Sequence, residues 1–243
     1  MISVGFKTDK GISRGNNEDS VFVLPPRNIY LVADGVGGQN SGQIASRTAV
    51  SYIAQYVQDH SADEVQDDRQ LKKYFSTVFS GANDLVFKRS CSEPGNFGMA
   101  TTVVLCYLRG STAYIVNVGD SRAYLIRNSH ISQITRDHTR IQDLLDMGAI
   151  TPDQAETHPD RHKITKAIGG EAVVRPDFFR FETQPGDTII LCTDGLYGMV
   201  DDCGIAKAAC RSNTMHGLAS ELVDMANAGG GEDNVSVVCI RIK

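Results

Sequence analysis

The chain has 243 residues, 24 Lys and Arg against 29 Asp and Glu, a formal charge of −5 and 41% apolar side chains. That apolar share fills a sizeable core and argues against a disordered chain, and the length suits one large β-containing domain. A pI near 5.7 with no basic run speaks against nucleic acid as the main partner. No stretch approaches a membrane span, and the opening MISVGFKTDKG lacks the apolar core of a secretory signal, so no membrane association is expected.

Over residues 1–38, strand-like runs (ISVGF, SVFVL, NIYLVA) alternate with turn residues. Residues 42–59 carry Ile44, Ala45, Ala49, Ile53, Ala54 and Val57 at roughly helical spacing with one apolar face. Residues 60–70 read as an exposed polar loop. A second amphipathic helix follows through Leu71, Phe75, Val78, Phe79, Ala82 and Val86, and residues 91–96 read as a loop ended by Pro94 and Gly95. Residues 101–134 hold TTVVLCYL, TAYIVNVG, RAYLIR and ISQI in quick succession, with Arg109-Gly110 and Asn128-Ser129 as hairpin turns. Such close spacing favours an antiparallel sheet.

Residues 136–170 break the pattern with a short helix, IQDLLDMG, and then ITPDQAETHPDRHKITKAIGG, a poor core segment but a good flap beside a site. DFFRFE and DTIILC resume the strands, residues 205–209 and 218–226 are helical, and NVSVVCIRI is the last strand. No repeat, low-complexity tract or interior linker is visible, so residues 1–243 are expected to form a single domain with a flap subdomain at about 136–170. The order does not alternate strictly enough for a doubly wound parallel sheet; two mostly antiparallel sheets with amphipathic helices outside fit better. The six cysteines show no CxxC pair, and Cys106, Cys192 and Cys239 sit inside apolar runs, as reduced core residues of a cytoplasmic protein do. None begins a C-x5-R loop, which excludes a cysteine-nucleophile phosphatase.

The recurrent feature is an acid at the end of an apolar run. Asp34 follows NIYLVA, Asp120 follows AYIVNVG, Asp194 follows TIILCT, and Asp233 stands before NVSVVCI. One such Asp is often only a turn former. Four bordering core strands suggest a cluster, and clustered carboxylates repel unless a cation lies between them. SRGNNEDS adds Arg14, Glu18 and Asp19; adjacent residues of a strand point to opposite faces, so at most one of the two acids is expected to face Asp34. Arg14 presents a planar fork of donors suited to phosphate. The oxygen-only set of Glu18, Asp34, Asp120, Asp194 and Asp233, with the Gly35 carbonyl, matches Mg2+ or Mn2+ rather than zinc. Two such ions roughly 4 Å apart share a bridging water, lower its pKa from about 15.7 towards 7 and neutralise a phosphoryl group attacked in line. Such a site needs no protein nucleophile, and the sequence offers none.

These blocks (SRGNNEDS, VADGVGG with SGQIAS, GMATTVV, VGDSRAYL, TRDHT, HKITKAIGG, LCTDGLYGMV and GEDNVSVV) give the chain an end-to-end resemblance to the metal-dependent serine/threonine protein phosphatases of the 2C (PPM) family, compact bacterial type. The resemblance implies an α+β fold, a four-layer α/β/β/α sandwich of two antiparallel sheets flanked by helices, with a binuclear metal centre at one end. By motif, Asp34 bridges the two ions, Glu18 and the Gly35 carbonyl hold one, and Asp194 and Asp233 hold the other. Asp19 supports the metal-bound waters, Arg14 binds the substrate phosphate, and Asp120 joins Asp194 on a third, weaker ion. Asn234 is expected to orient the Asp233 loop. The reaction implied is direct attack of the bridging water on phosphoserine or phosphothreonine, without a covalent intermediate, opposing a bacterial eukaryotic-like Ser/Thr kinase. The implied partners are phosphorylated proteins, and the expected state is a monomer.

The chain departs from the family at Gln39 and Gln43, where bacterial members often have histidine and glutamate, and at Val36, where animal members carry a histidine. No residue is thereby assigned as proton donor to the leaving group. Other readings are weaker. His158 and His162 have the spacing of a helical metal pair, but Pro159 lies between them. His138 reads as structural. GVGGQN has Asn40 where a dinucleotide fingerprint needs its third glycine. GMATT reads as tight packing under the site. A catalytically silent phosphoprotein binder and a phosphatase of small esters or phosphotyrosine are the competing functions; the intact acid set opposes the first.

Overall fold

The computed structural model describes residues 2–38, 41–161 and 163–243. Strand β3 (Ile29–Ala33) is buried at every position, because one face meets a second sheet and the other meets helices. It belongs to an antiparallel sheet ordered β10 (Asp177–Glu182), β7 (Thr112–Val118), β6 (Val103–Arg109), β3, β2 (Ser20–Leu24). The other sheet runs β1 (Ile2–Asp9), β12 (Val235–Ile242), β11 (Thr188–Cys192), β8 (Arg122–Arg127), β9 (His130–Gln133), also antiparallel throughout. Tyr30, Val32, Val104 and Ile115 from the first sheet interdigitate with Ala123, Ile189, Leu191 and Val238 from the second. Outside, α1 (Ser41–Asp59) and α2 (Asp68–Ser92) cover the first sheet, while α6 (Asp202–Arg211) and α7 (Met215–Ala228) cover the second. The four-layer sandwich expected from the sequence is the fold observed.

Three local expectations need correction. Helix α2 runs through Cys91 to Ser92, beyond the end expected, because no breaker occurs before Pro94; at its start Asp67 caps it by accepting from the Gln70 N–H. The β6–β7 hairpin turns at Gly110-Ser111, one residue later than expected, with Arg109 paired to Thr112 and Gly110 at φ 60°. Glu18 and Asp19 precede β2, so strand alternation does not separate them. The Asn128-Ser129 turn is as expected, with φ of 51° and 65°, the double positive φ of a two-residue hairpin loop.

Within residues 136–170 lie α3 (Arg140–Asp146) and α4 (Pro152–Glu156), tied back by bridges from Thr139 to Ile164 and from Thr101 to Ile168. A short ribbon, β4 (Gly35–Val36) with β5 (Ala100–Thr101), and a one-turn helix, α5 (Asp194–Tyr197), complete the elements used below. Among the described residues no helix is long and apolar enough to cross a membrane.

Candidate functional site

Strand register brings the acids to one end of the sandwich. Ser20 pairs with Ala33, Val103 with Val118, and Cys192 with both Val237 and Arg122. The residues just past these ends are Asp19, Asp34, Asp120, Asp194 and Asp233, and their charges act on one another. Asp34 is perturbed first by burial of its carboxyl, then by Asp194, Asp19 and Asp120, and stands well above the ordinary carboxylate range. Burial, opposed by hydrogen bonds from Ser236 and Thr193 and reinforced by Asp194 and Asp233, pushes Asp19 up to about 7. Burial, then Asp194 and Asp137, pushes Asp120 up to about 7 as well. Burial also raises Glu18, with the Arg14 guanidinium opposing and Asp233 adding. Thus both Glu18 and Asp19 belong to the group.

Each acid is held by partners distant in sequence. The Asp34 N–H donates to Thr102 Oγ1 at 2.9 Å, and its carbonyl accepts from the Thr101 hydroxyl at 2.8 Å, so the GMATT block grips the backbone beneath the site. Thr193 Oγ1 donates to Asp19 Oδ2 at 2.9 Å. Asn234 accepts from the Glu18 N–H at 2.7 Å and donates to the carbonyls of Lys10 and Asn16, knitting the Asp233 loop to the Arg14–Asp19 loop. Arg14 reaches Asp233 Oδ2 at 2.7 Å while about half its side chain stays exposed. Gln43, at one departure from the family pattern, donates to the Asn17 carbonyl at 3.1 Å. Gln39, at the other, lies outside the described residues.

The turn that carries Asp120 is gripped from the flap. The His138 N–H donates to the Gly119 carbonyl at 3.1 Å, and the Gly119 N–H donates back to His138 Nδ1 at 2.9 Å. That leaves the proton on Nε2, 3.2 Å from Asp177 Oδ2, while Lys166 Nζ donates to Asp177 Oδ1 at 2.9 Å. Burial and the Lys166 ammonium lower the His138 pKa against the opposing Asp177 carboxylate, which favours the neutral ring. His138 is therefore a structural residue with a specific task. His158 Nδ1 accepts from the Asp160 N–H at 3.1 Å in the turn after α4, and its suggested partner His162 lies outside the described residues.

Among the described residues no three Asp, Glu, His or Cys side chains already close on one point as a finished cation cage would. The acids are gathered short of that, and several observations fit divalent ions between them. Asp19 Oδ1 is buried with no hydrogen-bond partner. A Cβ built on Gly42 would lie 2.3 Å from Glu18 Oε2 and 2.5 Å from the Gly35 carbonyl oxygen, so these two oxygens share one small space that only glycine leaves open. The donors are all hard oxygens, as Mg2+ and Mn2+ prefer.

Solved bacterial serine/threonine phosphatases share this layered fold. The chain belongs to the protein phosphatase 2C family, whose profile matches residues 12–227. It is 36% identical over 238 residues to the serine/threonine protein phosphatase PstP of Mycobacterium tuberculosis, covering 98% of this chain and 44% of that protein. It is 33% identical over 239 residues to the serine/threonine phosphatase stp of Listeria monocytogenes, covering 97% of this chain and 94% of that protein. The chain thus spans under half of the mycobacterial relative and nearly all of the listerial one. The catalytic domain of PstP, solved in complex with two manganese ions, matches the fold with a TM-score of 0.86 at 32% identity, covering 100% of this chain and 99% of that one.

Sequence reasoning did not single out Thr193, Ser236, Thr102 or Gly42. A hydroxyl residue flanking a run-ending acid, as in CTDG, was the available signal for Thr193.

Proposed function

We propose that this chain is a Mg2+- or Mn2+-dependent phosphoprotein phosphatase, a phosphoric monoester hydrolase acting on phosphoserine and phosphothreonine. The carrying observation is the convergence of Glu18, Asp19, Asp34, Asp120, Asp194 and Asp233 at one end of the sandwich, where burial and neighbouring acids raise the carboxyls of Glu18, Asp19, Asp34 and Asp120. Asp34 would lie between two ions, with Glu18 and the Gly35 carbonyl on one and Asp194 and Asp233 on the other; Asp120 with Asp194 would take a third, weaker one. When bound, the ions supply an activated water and the positive charge that an in-line phosphoryl displacement needs.

The chain's own groups do the positioning. Arg14, anchored on Asp233, has further guanidinium donors for phosphate oxygens. Asp19, fixed by Thr193, orients water at the edge of the cluster. Val36 offers no proton at the position where animal members have histidine, so no side chain of this chain is assigned as proton donor to the leaving group. Residues 136–170 act as the flap over this end. The counterpart of such an enzyme is a Ser/Thr kinase of the eukaryotic-like type, and the working form is a cytoplasmic monomer. The test is hydrolysis of a phosphothreonine peptide with Mn2+, with Mg2+ and with chelator, beside Asp194→Ala. Turnover is expected only with metal, and at least about 100-fold lower in the variant. No turnover by folded protein with any metal would leave a phosphoprotein-binding domain instead.

A further inference from the structure

A cavity of about 770 Å3 extends from the acid cluster under the flap. Asp194 and Asp233 line it as members of the acid cluster, and Ile141 and Leu145 of α3, Ala155 of α4 and Met199 just after α5 give it apolar wall. It lies within the range of small-ligand pockets and is larger than a phosphoryl group fills. Neither Leu145 nor Met199 is fully buried. Apolar surface left beside clustered charge favours an apolar occupant, at roughly 25 cal/mol per Å2 covered. Arg161 and Glu232 also line the cavity, and on its wall Asp137 is bound by Arg122 at 2.7 Å.

Chain geometry says which substrate group reaches it. In an extended peptide, side chains alternate in direction, so residues adjacent to the phosphorylated one point away from the site. The residue two positions off points the same way, about 7 Å along the peptide. That span fits within the one cavity. We propose that the cavity is a specificity subsite that receives an aliphatic side chain two residues from the phosphoserine or phosphothreonine of an extended substrate segment, an inference that rests on the phosphoprotein reading above.

The test compares kcat/KM in Mn2+ for phosphothreonine peptides carrying Leu, Gly or Glu two residues before, and then two residues after, the phosphothreonine. p-Nitrophenyl phosphate is run alongside to report phosphoryl chemistry alone. Leu is expected to exceed Gly by about tenfold at one of the two positions, with Glu lowest. The Leu-to-Gly ratio is expected to fall to within about twofold in Ala155→Phe, which fills the cavity, and to shrink in Leu145→Ala, which removes part of its wall. Should one of these variants not fold, the other and the wild-type ratios still decide. Hydrolysis of the ester and of all peptides within twofold of one another overturns the subsite and leaves the phosphatase standing. Failure to hydrolyse any of them overturns the phosphatase reading, and the subsite with it.

Discussion

Gly42 shows how closely the acid cluster is fitted at the level of single atoms. It sits in the first turn of α1, where alanine would ordinarily favour the helix by about 1 kcal/mol. Here the added methyl would fall on Glu18 Oε2 and the Gly35 carbonyl. Gly42→Ala should therefore weaken Mn2+ binding about 10- to 100-fold by calorimetry, against the helix preference. Unchanged affinity would remove Glu18 and Gly35 from the donor set. A control lies at the other end of the sandwich. Asp187 precedes β11, is 1% exposed and is held at both oxygens by Arg127. Arg127→Ala would leave that carboxylate with only the Gln184 N–H and should lower stability by about 2 kcal/mol in denaturant titrations, with Mn2+ affinity kept. Loss of both together would show that the two ends are not independent. Of the acids gathered here, Asp34, Asp120, Asp194 and Asp233 were legible in the sequence because each borders an apolar run, and Glu18 and Asp19 because they stand together near Arg14. Their partners were not: the Thr193–Asp19 bond joins residues 174 positions apart, and nothing local marks either hydroxyl or carboxylate as its mate.

Between elements, the contact to test is the grip of His138 on the turn after β7. Asparagine places an acceptor where Nδ1 stands, whereas glutamine reaches towards Nε2 and leaves the Gly119 N–H without its partner. His138→Gln should weaken Mn2+ binding about tenfold more than His138→Asn. Equal losses would mean that the ring only fills space. At this scale, legibility followed burial. β3, β6 and β12 are covered on both faces, so they read as continuous apolar runs with clear ends. Helices α4 and α5, with five and four residues, are too short to show a period. The polar ends of α2 extend past its apolar stripe and so escaped notice.

For the molecule as a whole, the acid cluster links fold stability, protons and metal. Asp19 and Asp120 stand at about 7 against an ordinary 3.8, so between those values the metal-free folded chain binds more protons than the unfolded one. Their contribution to stability is present below about 3.8 and is lost as pH rises through about 7. A divalent cation takes the place of those protons, so Mn2+ should raise Tm more at pH 8 than at pH 5 in melts run with metal or chelator. An equal gain at both values would show that the acids do not hold the ion. A different consequence comes from the place of β12. It is the final strand of the chain, yet it lies inside its sheet between β1 and β11, directly after Asp233. Residues 233–242 must therefore be made before β1 has a partner, before β11 has its second one, and before Glu18 and Asp34 meet Asp233. A chain stopped short of residue 233 would lack both the strand between β1 and β11 and one of the clustered acids, so the acid cluster closes only after these residues have been made.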